Sequence, residues 1–144
     1  MGFKARDIMT APFVSVHPNA SVDEVLAQLL RHHISGLPVV DDEGNLRGVV
    51  TEFDLLKLLY EPKSDIDGLA QFISEDVITV DDDDSLPDVA DIFLTQPVRR
   101  LPVLRDGKIL GIISRRDLVR FIHLSRVRLA QDLEERRLSA AGSA

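Results

Sequence analysis

The sequence predicts an α+β fold built twice: two β-α-β-β-α units packed sheet to sheet about a pseudo-two-fold axis. Three observations carry that expectation. Residue types recur at a fixed spacing, since Pro38 and Pro102, Val16 and Val80, and Ser21 and Ser85 are each 64 positions apart. Past the hairpin turn the spacing drops to 63, as for Gly48 and Gly111 or Asp54 and Asp117, because Arg105-Asp106-Gly107-Lys108 is one residue shorter than its counterpart. Such self-similarity marks an internal duplication. Each unit, at roughly 60 residues, is too small to bury both faces of a sheet alone. Packing the two sheets together solves that and leaves two related clefts between the halves, a common place for ligands.

The elements follow in order. Ala5 to Thr10 suits a short helical turn ended by Ala11-Pro12. Val14-Ser15-Val16 is extended, and His17-Pro18-Asn19 closes it. Ser21 caps a helix with Glu24 at the capping-box position. Val22, Val25, Leu26, Leu29 and Leu30 form its apolar stripe, and Arg31, His32 and His33 suit its C-terminal dipole. Leu37 to Val40 reads as a strand whose Pro38 suggests an edge or first position. Asp41 to Asn45 turns the chain and Leu46 to Val50 returns as a hairpin. A helix starts at Thr51, with Phe53, Leu55, Leu56, Leu58 and Leu59 expected on its buried side, and Pro62 stops it. The first repeat is thus placed at 1–60, a linker at 61–68 and the second repeat at 69–124. A helical tail at 125–144 completes the chain. Leu118 to Leu138 reads as one long helix. Phe121, Ile122, Leu124 and Leu129 are candidates to pack there, Asp132 and Arg136 are placed to pair, and Ser139 to Ala144 are expected to fray.

Composition narrows the function. A net charge of −7 argues against gripping a nucleic-acid backbone. The absence of cysteine removes disulfides, thiolate nucleophiles and Cys-based zinc sites together. No apolar window is long enough to span a bilayer, and Lys4, Arg6 and Asp7 interrupt any signal sequence, so a cytoplasmic protein is expected. Asp81 to Asp84 lacks the spaced ligands and glycine of a calcium loop and aligns with the plain His17 to Ala20 turn. It is read as a solvated turn, and no metal site is expected. His32 and His33, being adjacent, point to different sides of a helix and are read as structural or exposed.

Chemistry concentrates in one motif and its echo, Gly48-Val49-Val50-Thr51-Glu52-Phe53-Asp54 and Gly111-Ile112-Ile113-Ser114-Arg115-Arg116-Asp117. Each is a strand end, a hydroxyl residue and a helix start with a carboxylate three residues on. Thr-x-x-Asp and Ser-x-x-Asp fit the capping box that merely starts helices. The same junction also offers N–H groups, a hydroxyl and an acceptor to a phosphorylated sugar. Neither motif comes with a nucleophile–base pair or a glycine-rich phosphate loop, so no enzyme activity is expected.

Paired halves that each carry Leu-Pro-Val followed by Gly-x-x-Thr/Ser-x-x-Asp resemble a tandem pair of CBS domains, the Bateman module, over about residues 7–122. The resemblance implies a regulatory fold that commonly binds AMP, ADP, ATP, S-adenosylmethionine or NAD without chemistry on them. It implies that Asp54 and Asp117 hold ribose hydroxyls, with Thr51 and Ser114 approaching sugar or phosphate. It places Ser15 and Val16 beside Asp117, and Thr79 and Val80 beside Asp54, against the adenine. The residue before Leu-Pro-Val often serves the phosphate subsite in this family, and here the halves diverge: Arg99-Arg100 in the second, Ser35-Gly36 in the first. Arginine can grip phosphate in a fork, and Arg116 lies within the motif. The Asp117 cleft is therefore expected to prefer a phosphorylated nucleotide, and the Asp54 cleft a less charged ligand, weak binding or none. Family members often pair into disc-like dimers, so a homodimer with an unidentified protein effector is expected. The alternative is a structural or protein-interaction module whose clefts are vestigial and whose motifs are only caps.

Overall fold

The computed structural model describes residues 2–62 and 68–142. The expected linker residues Lys63, Ser64 and Asp65 lie outside them. Helix α1 covers Ala5–Ile8 and α2 Val22–His32. Strands β1 (Gly36–Val40) and β2 (Leu46–Thr51) form the first hairpin, followed by α3 (Glu52–Leu55) and a 3-10 turn at Leu56–Leu59. The second half opens with a 3-10 turn at Ala70–Phe72, then β3 (Val80–Asp81), α4 (Leu86–Thr95), β4 (Arg100–Arg105), β5 (Lys108–Ser114) and α5 (Arg115–Gly142).

Local chemistry explains these boundaries. The Ser21 hydroxyl accepts from the Glu24 N–H at 3.1 Å, and α2 ends at His33, whose left-handed φ of 52° lets its N–H reach back to the last carbonyls. Ser85 repeats the cap with Asp88. In the first hairpin, Asp41 Oδ1 accepts from the N–H groups of Glu43 and Asn45, holding a turn completed by Gly44. In the second, Asp106 and Gly107 both take positive φ, the two-residue turn that suits strand twist. That difference accounts for the residue lost from the repeat.

Each half has its own apolar core. Val25, Leu37, Val39 and Val50 centre the first; Val89, Leu101, Val103 and Ile113 centre the second. The sheets face each other across a cleft lined by Pro38 and Val49 on one side and Pro102 and Ile112 on the other. Asn45 bridges Lys108, and the Ile109 N–H donates to the Gly44 carbonyl, joining the two hairpins.

The halves also exchange short straps. Residues 4–10 lie on the second half, where Thr10 and Ile112 trade backbone hydrogen bonds of 2.8 and 3.1 Å. Residues 69–74 lie on the first, where Ser74 and Val49 do the same at 2.8 and 3.0 Å. Ala5 is accordingly part of the second core, and Leu69 and Phe72 of the first.

Several expectations are corrected. Strand β1 is not an edge, since Val16 pairs with it in parallel opposite β2; that pairing begins at the Pro38 carbonyl, so the missing N–H costs no bond there. Of the stripe on α2, Leu30 is 76% exposed. Of the apolar residues expected on the buried side after Thr51, Leu55 is buried and Leu58 packs against the core, whereas Phe53, Leu56 and Leu59 are exposed; from Leu56 on, the helix tightens into a 3-10 turn and loses its 3.6-residue period. On α5, Phe121 packs edge-on against Phe3, but Ile122, Leu124 and Leu129 are exposed. The helix runs through 125 without a break and continues past Ser139 to Gly142, and in its tail Glu134 pairs with Arg137. Nor is the acidic turn merely solvated. Asp82 is buried and bonded by Arg105, with Arg6 on Asp83 beside it.

Candidate ligand cleft

One cavity of about 710 Å³ opens between the two sheets. Its floor comes from the first hairpin and the residues after it, with Gly36, Pro38, Thr51, Glu52 and Phe53 exposed to it. Asp76, Val77 and Ile78, entering β3, form one wall. Arg99 and Arg100, at the start of β4, form the opposite one. A smaller cavity adjoins it, sharing Ser35, Glu52 and Arg100.

Arg100 is held where the halves meet. Its Nη1 donates to the Gly36 carbonyl at 2.9 Å. Residues 36 and 100 are repeat equivalents, so one glycine faces one arginine across the pseudo-two-fold. A side chain at 36 would press on Thr51 Cγ2 and the Val50 carbonyl, each 3.2 Å from an added Cβ. Burial and the neighbouring Arg99 both push the Arg100 pKa down, with Glu52 and Asp117 opposing them. A desolvated cation beside a second cation gains from an anion placed between them.

The two motif carboxylates differ more than their sequences suggest. Asp54 Oδ2 accepts from the Thr51 N–H at 2.9 Å and from its hydroxyl at 2.8 Å. Among the described residues Asp54 Oδ1 accepts nothing. Asp117 Oδ2 accepts in the same way from the Ser114 N–H and hydroxyl. Its Oδ1, however, takes the Thr10 hydroxyl at 2.9 Å and Arg120 Nη1 at 3.1 Å, and the residue is only 6% exposed.

The cavity therefore gathers Gly36, Thr51, Arg99 and Arg100 from the expected site residues, with Asp54 bonded directly to Thr51. Arg99 and Arg100 line this cavity with Thr51, whereas the expectation from sequence pairs them with Asp117. Val16 and Val80 are buried in the cores of their own halves and are not among the residues lining this cavity. The wall is built from Asp76 to Ile78, just ahead of Thr79 and Val80. Ser15 is exposed, and Ser114, Arg116 and Asp117 lie away from the cavity lining. Sequence reasoning missed Thr10 and Arg120 as partners of Asp117. The i,i+3 spacing of Asp117 and Arg120 was legible, whereas the Thr10 contact depends on the strap. Among the described residues no cluster of three or more His, Asp or Glu could hold a metal ion, and no helix is long and apolar enough to cross a membrane.

The CBS domain family model matches twice, at residues 5–61 and 69–124. The protein MJ1225 of Methanocaldococcus jannaschii is 31% identical over 117 residues, 81% of this chain and 42% of that protein. The chloroplastic CBS domain-containing protein CBSX2 of Arabidopsis thaliana is 35% identical over 151 residues, covering 83% of this chain and 63% of that one. The chain spans less than two thirds of either relative's length. The crystal structure of CBSX2 in complex with AMP superposes with a TM-score of 0.78 at 34% identity, covering 87% of this chain and 99% of that one. The CBS domain pair of MJ0100, solved with 5′-methylthioadenosine and S-adenosyl-L-methionine, gives a TM-score of 0.73 at 28% identity over 87% of this chain and 99% of that one. The chain belongs to the CBS-domain family, as a tandem pair.

Proposed function

We propose that this chain is a non-catalytic regulatory module that binds an adenosine-containing nucleotide of the AMP, ADP or ATP type in the Thr51 cleft. One observation carries the reading: a cavity with apolar walls has two arginines on one side and, behind Thr51, a carboxylate with a free oxygen. Asp54 Oδ1 would accept the ribose hydroxyls, for which an ionised carboxylate has the lone pairs. Arg99 and Arg100 would hold phosphate, and Val77, Ile78 and Phe53 would flank the base. The AMP complex of CBSX2 supports this choice.

Phosphate drawn onto Arg100 would compete with the Gly36 carbonyl, loosening one tie between the halves. Ligand binding could then bias their orientation, provided the two orientations bind it with different affinity. The reading takes the module as a cytoplasmic homodimer that passes this signal to a protein effector; light scattering on the purified chain tests the dimer.

S-adenosylmethionine is the second reading. Glu52 and Asp76 line the cavity too, bringing its charge near balance, which suits a sulfonium ligand better than a triphosphate. Thermal unfolding with AMP, ADP, ATP, S-adenosylmethionine and NAD separates the two. A ligand at a hundred times its dissociation constant adds about 2.7 kcal/mol to the folded state. The nucleotide reading expects the largest shift with a phosphorylated ligand, lost in Asp54→Ala and reduced in Arg100→Gln. A shift with S-adenosylmethionine alone selects the second reading. No shift with any of them rejects both.

A further inference from the structure

Asp54 and Asp117 come from one duplicated motif, yet the two carboxylates are in different states. A carboxylate offers about four acceptor positions, two on each oxygen. Asp117 fills all of them from within the chain: the Ser114 N–H and hydroxyl on Oδ2, and the Thr10 hydroxyl and Arg120 guanidinium on Oδ1. Among the described residues, Asp54 fills only the two on Oδ2.

The repeat shows how the difference arises. The equivalent of Thr10 is Ser74, whose strap makes the same backbone pairing but whose hydroxyl does not reach Asp54. The equivalent of Arg120 is Lys57. Its ammonium lies 4.5 Å from the centre of the Phe72 ring and donates to the Gln71 carbonyl, away from Asp54. Two side chains that close one carboxylate are thus replaced by two that leave the other open.

We infer that Thr10 and Arg120 form an internal latch over Asp117, so that the chain takes a single nucleotide, in the Asp54 cleft, until the latch is opened. The inference rests on the nucleotide reading of that cleft. A ligand hydroxyl reaching Asp117 must displace the Thr10 hydroxyl or the Arg120 guanidinium, and its apparent affinity falls by the fraction of chains in which the latch is open. The N-terminal strap carries Thr10, so whatever lifts the strap from Ile112 also opens the second cleft. The latch makes the second site conditional on the strap.

The test is calorimetric titration of AMP into the full chain. The wild type saturates at about one equivalent, and Asp54→Asn removes it. Thr10→Val combined with Arg120→Ala raises the stoichiometry to about two, and adding Asp117→Asn returns it to about one. Thr10→Ser, which keeps the hydroxyl, stays at the wild-type value. Thr10 is exposed and its backbone pairing with Ile112 is untouched by these changes. Amide chemical shifts of the unmodified protein give a check independent of any variant, with AMP shifting Thr51 to Asp54 and leaving Ser114 to Asp117 in place. Two equivalents in the wild type, the second lost in Asp117→Asn, overturn the latch and leave the nucleotide reading standing. A double variant that stays folded and binds one equivalent also overturns it. Absence of AMP binding in the wild type overturns the nucleotide reading and, with it, the inference.

Discussion

The straps at residues 4–10 and 69–74 make the same backbone joint on opposite halves, yet different forces fasten them. Their positions correspond one to one: Ala5 with Leu69, Arg6 with Ala70, Ile8 with Phe72 and Thr10 with Ser74. The linker strap buries Leu69 and Phe72, each 2% exposed, in the first core. The N-terminal strap buries only Ala5 fully and adds charge: Arg6 meets Asp83 at 2.8 Å and Asp82 at 3.7 Å, with Arg105 on Asp82 from the other side. Apolar burial scales with area and persists in salt; exposed ion pairs are screened. The duplicated frame thus has one strap built to stay and one whose hold depends on solution conditions. The conditional strap is the one that carries Thr10.

The largest effect should come from the apolar strap. Phe72→Ala should cost about 3–5 kcal/mol, whereas Ile8→Ala at the equivalent, half-buried position should cost no more than about 2 kcal/mol. Chemical denaturation of both variants measures the contrast, and equal costs would break it. Next come the glycines beneath the straps. A Cβ at Gly48 would lie 2.5 Å from both Ile73 Cγ2 and the Ser74 carbonyl oxygen, a backbone atom that cannot swing aside. At Gly111 it would meet Met9 Sδ at 2.6 Å and the Thr10 carbonyl at 2.9 Å, and the methionine is flexible. Overpacking typically costs about 1–3 kcal/mol; Gly48→Ala should reach the top of that range and Gly111→Ala, whose nearest backbone atom is farther off, should cost less. Smaller still are the helix caps. Ser21→Ala and Ser85→Ala should each cost about 1 kcal/mol and match one another, because cap geometry is the feature the two halves share most closely. Unequal values would show that the duplication is less faithful locally than the backbone suggests.

The same contrast explains what was legible in the sequence. Capping serines, hairpin turns and the repeat register depend on neighbours within a few residues, and Ser21, Asp106-Gly107 and the 64-residue spacing announce them. The straps do not, because Thr10 meets Ile112 and Ser74 meets Val49 only after the halves have docked. Everything that follows from docking was hidden as well: that Arg100 faces Gly36 and the Thr51 cleft, that Thr10 closes Asp117, and that Asp82 is buried. Leu56 and Leu59 depart from the expected buried face for a local reason, since a 3-10 turn does not keep apolar residues on one face. The candidate site was therefore legible in residue type, while the grouping of those residues into clefts was set by tertiary contacts.

The smallest effect at neutral pH should become decisive in acid. The Arg105 hydrogen bond holds the Asp82 carboxyl below its usual range, and the Arg6 hydrogen bond does the same for Asp83. A carboxylate whose pKa is depressed on folding contributes stability that is present above its unfolded value, about 3.9, and is lost as pH falls through the lower folded value. The N-terminal strap should therefore loosen below about pH 4 while the strap at 69–74, with no ionic tie of this kind among the described residues, holds. Asp41 is depressed too, chiefly by the Asn45 N–H, but it secures the first hairpin turn and neither strap. Hydrogen exchange followed from about pH 5 to about pH 3 should show protection falling at Thr10 and Ile112 and persisting at Val49 and Ser74. Asp82→Asn should start with weaker protection at Thr10 and lose less of it in acid, because one of the two titrating carboxylates is gone and only Asp83 remains. Parallel loss at both joints would mean that the halves part as one unit, and that charge at Arg6 decorates the strap without holding it.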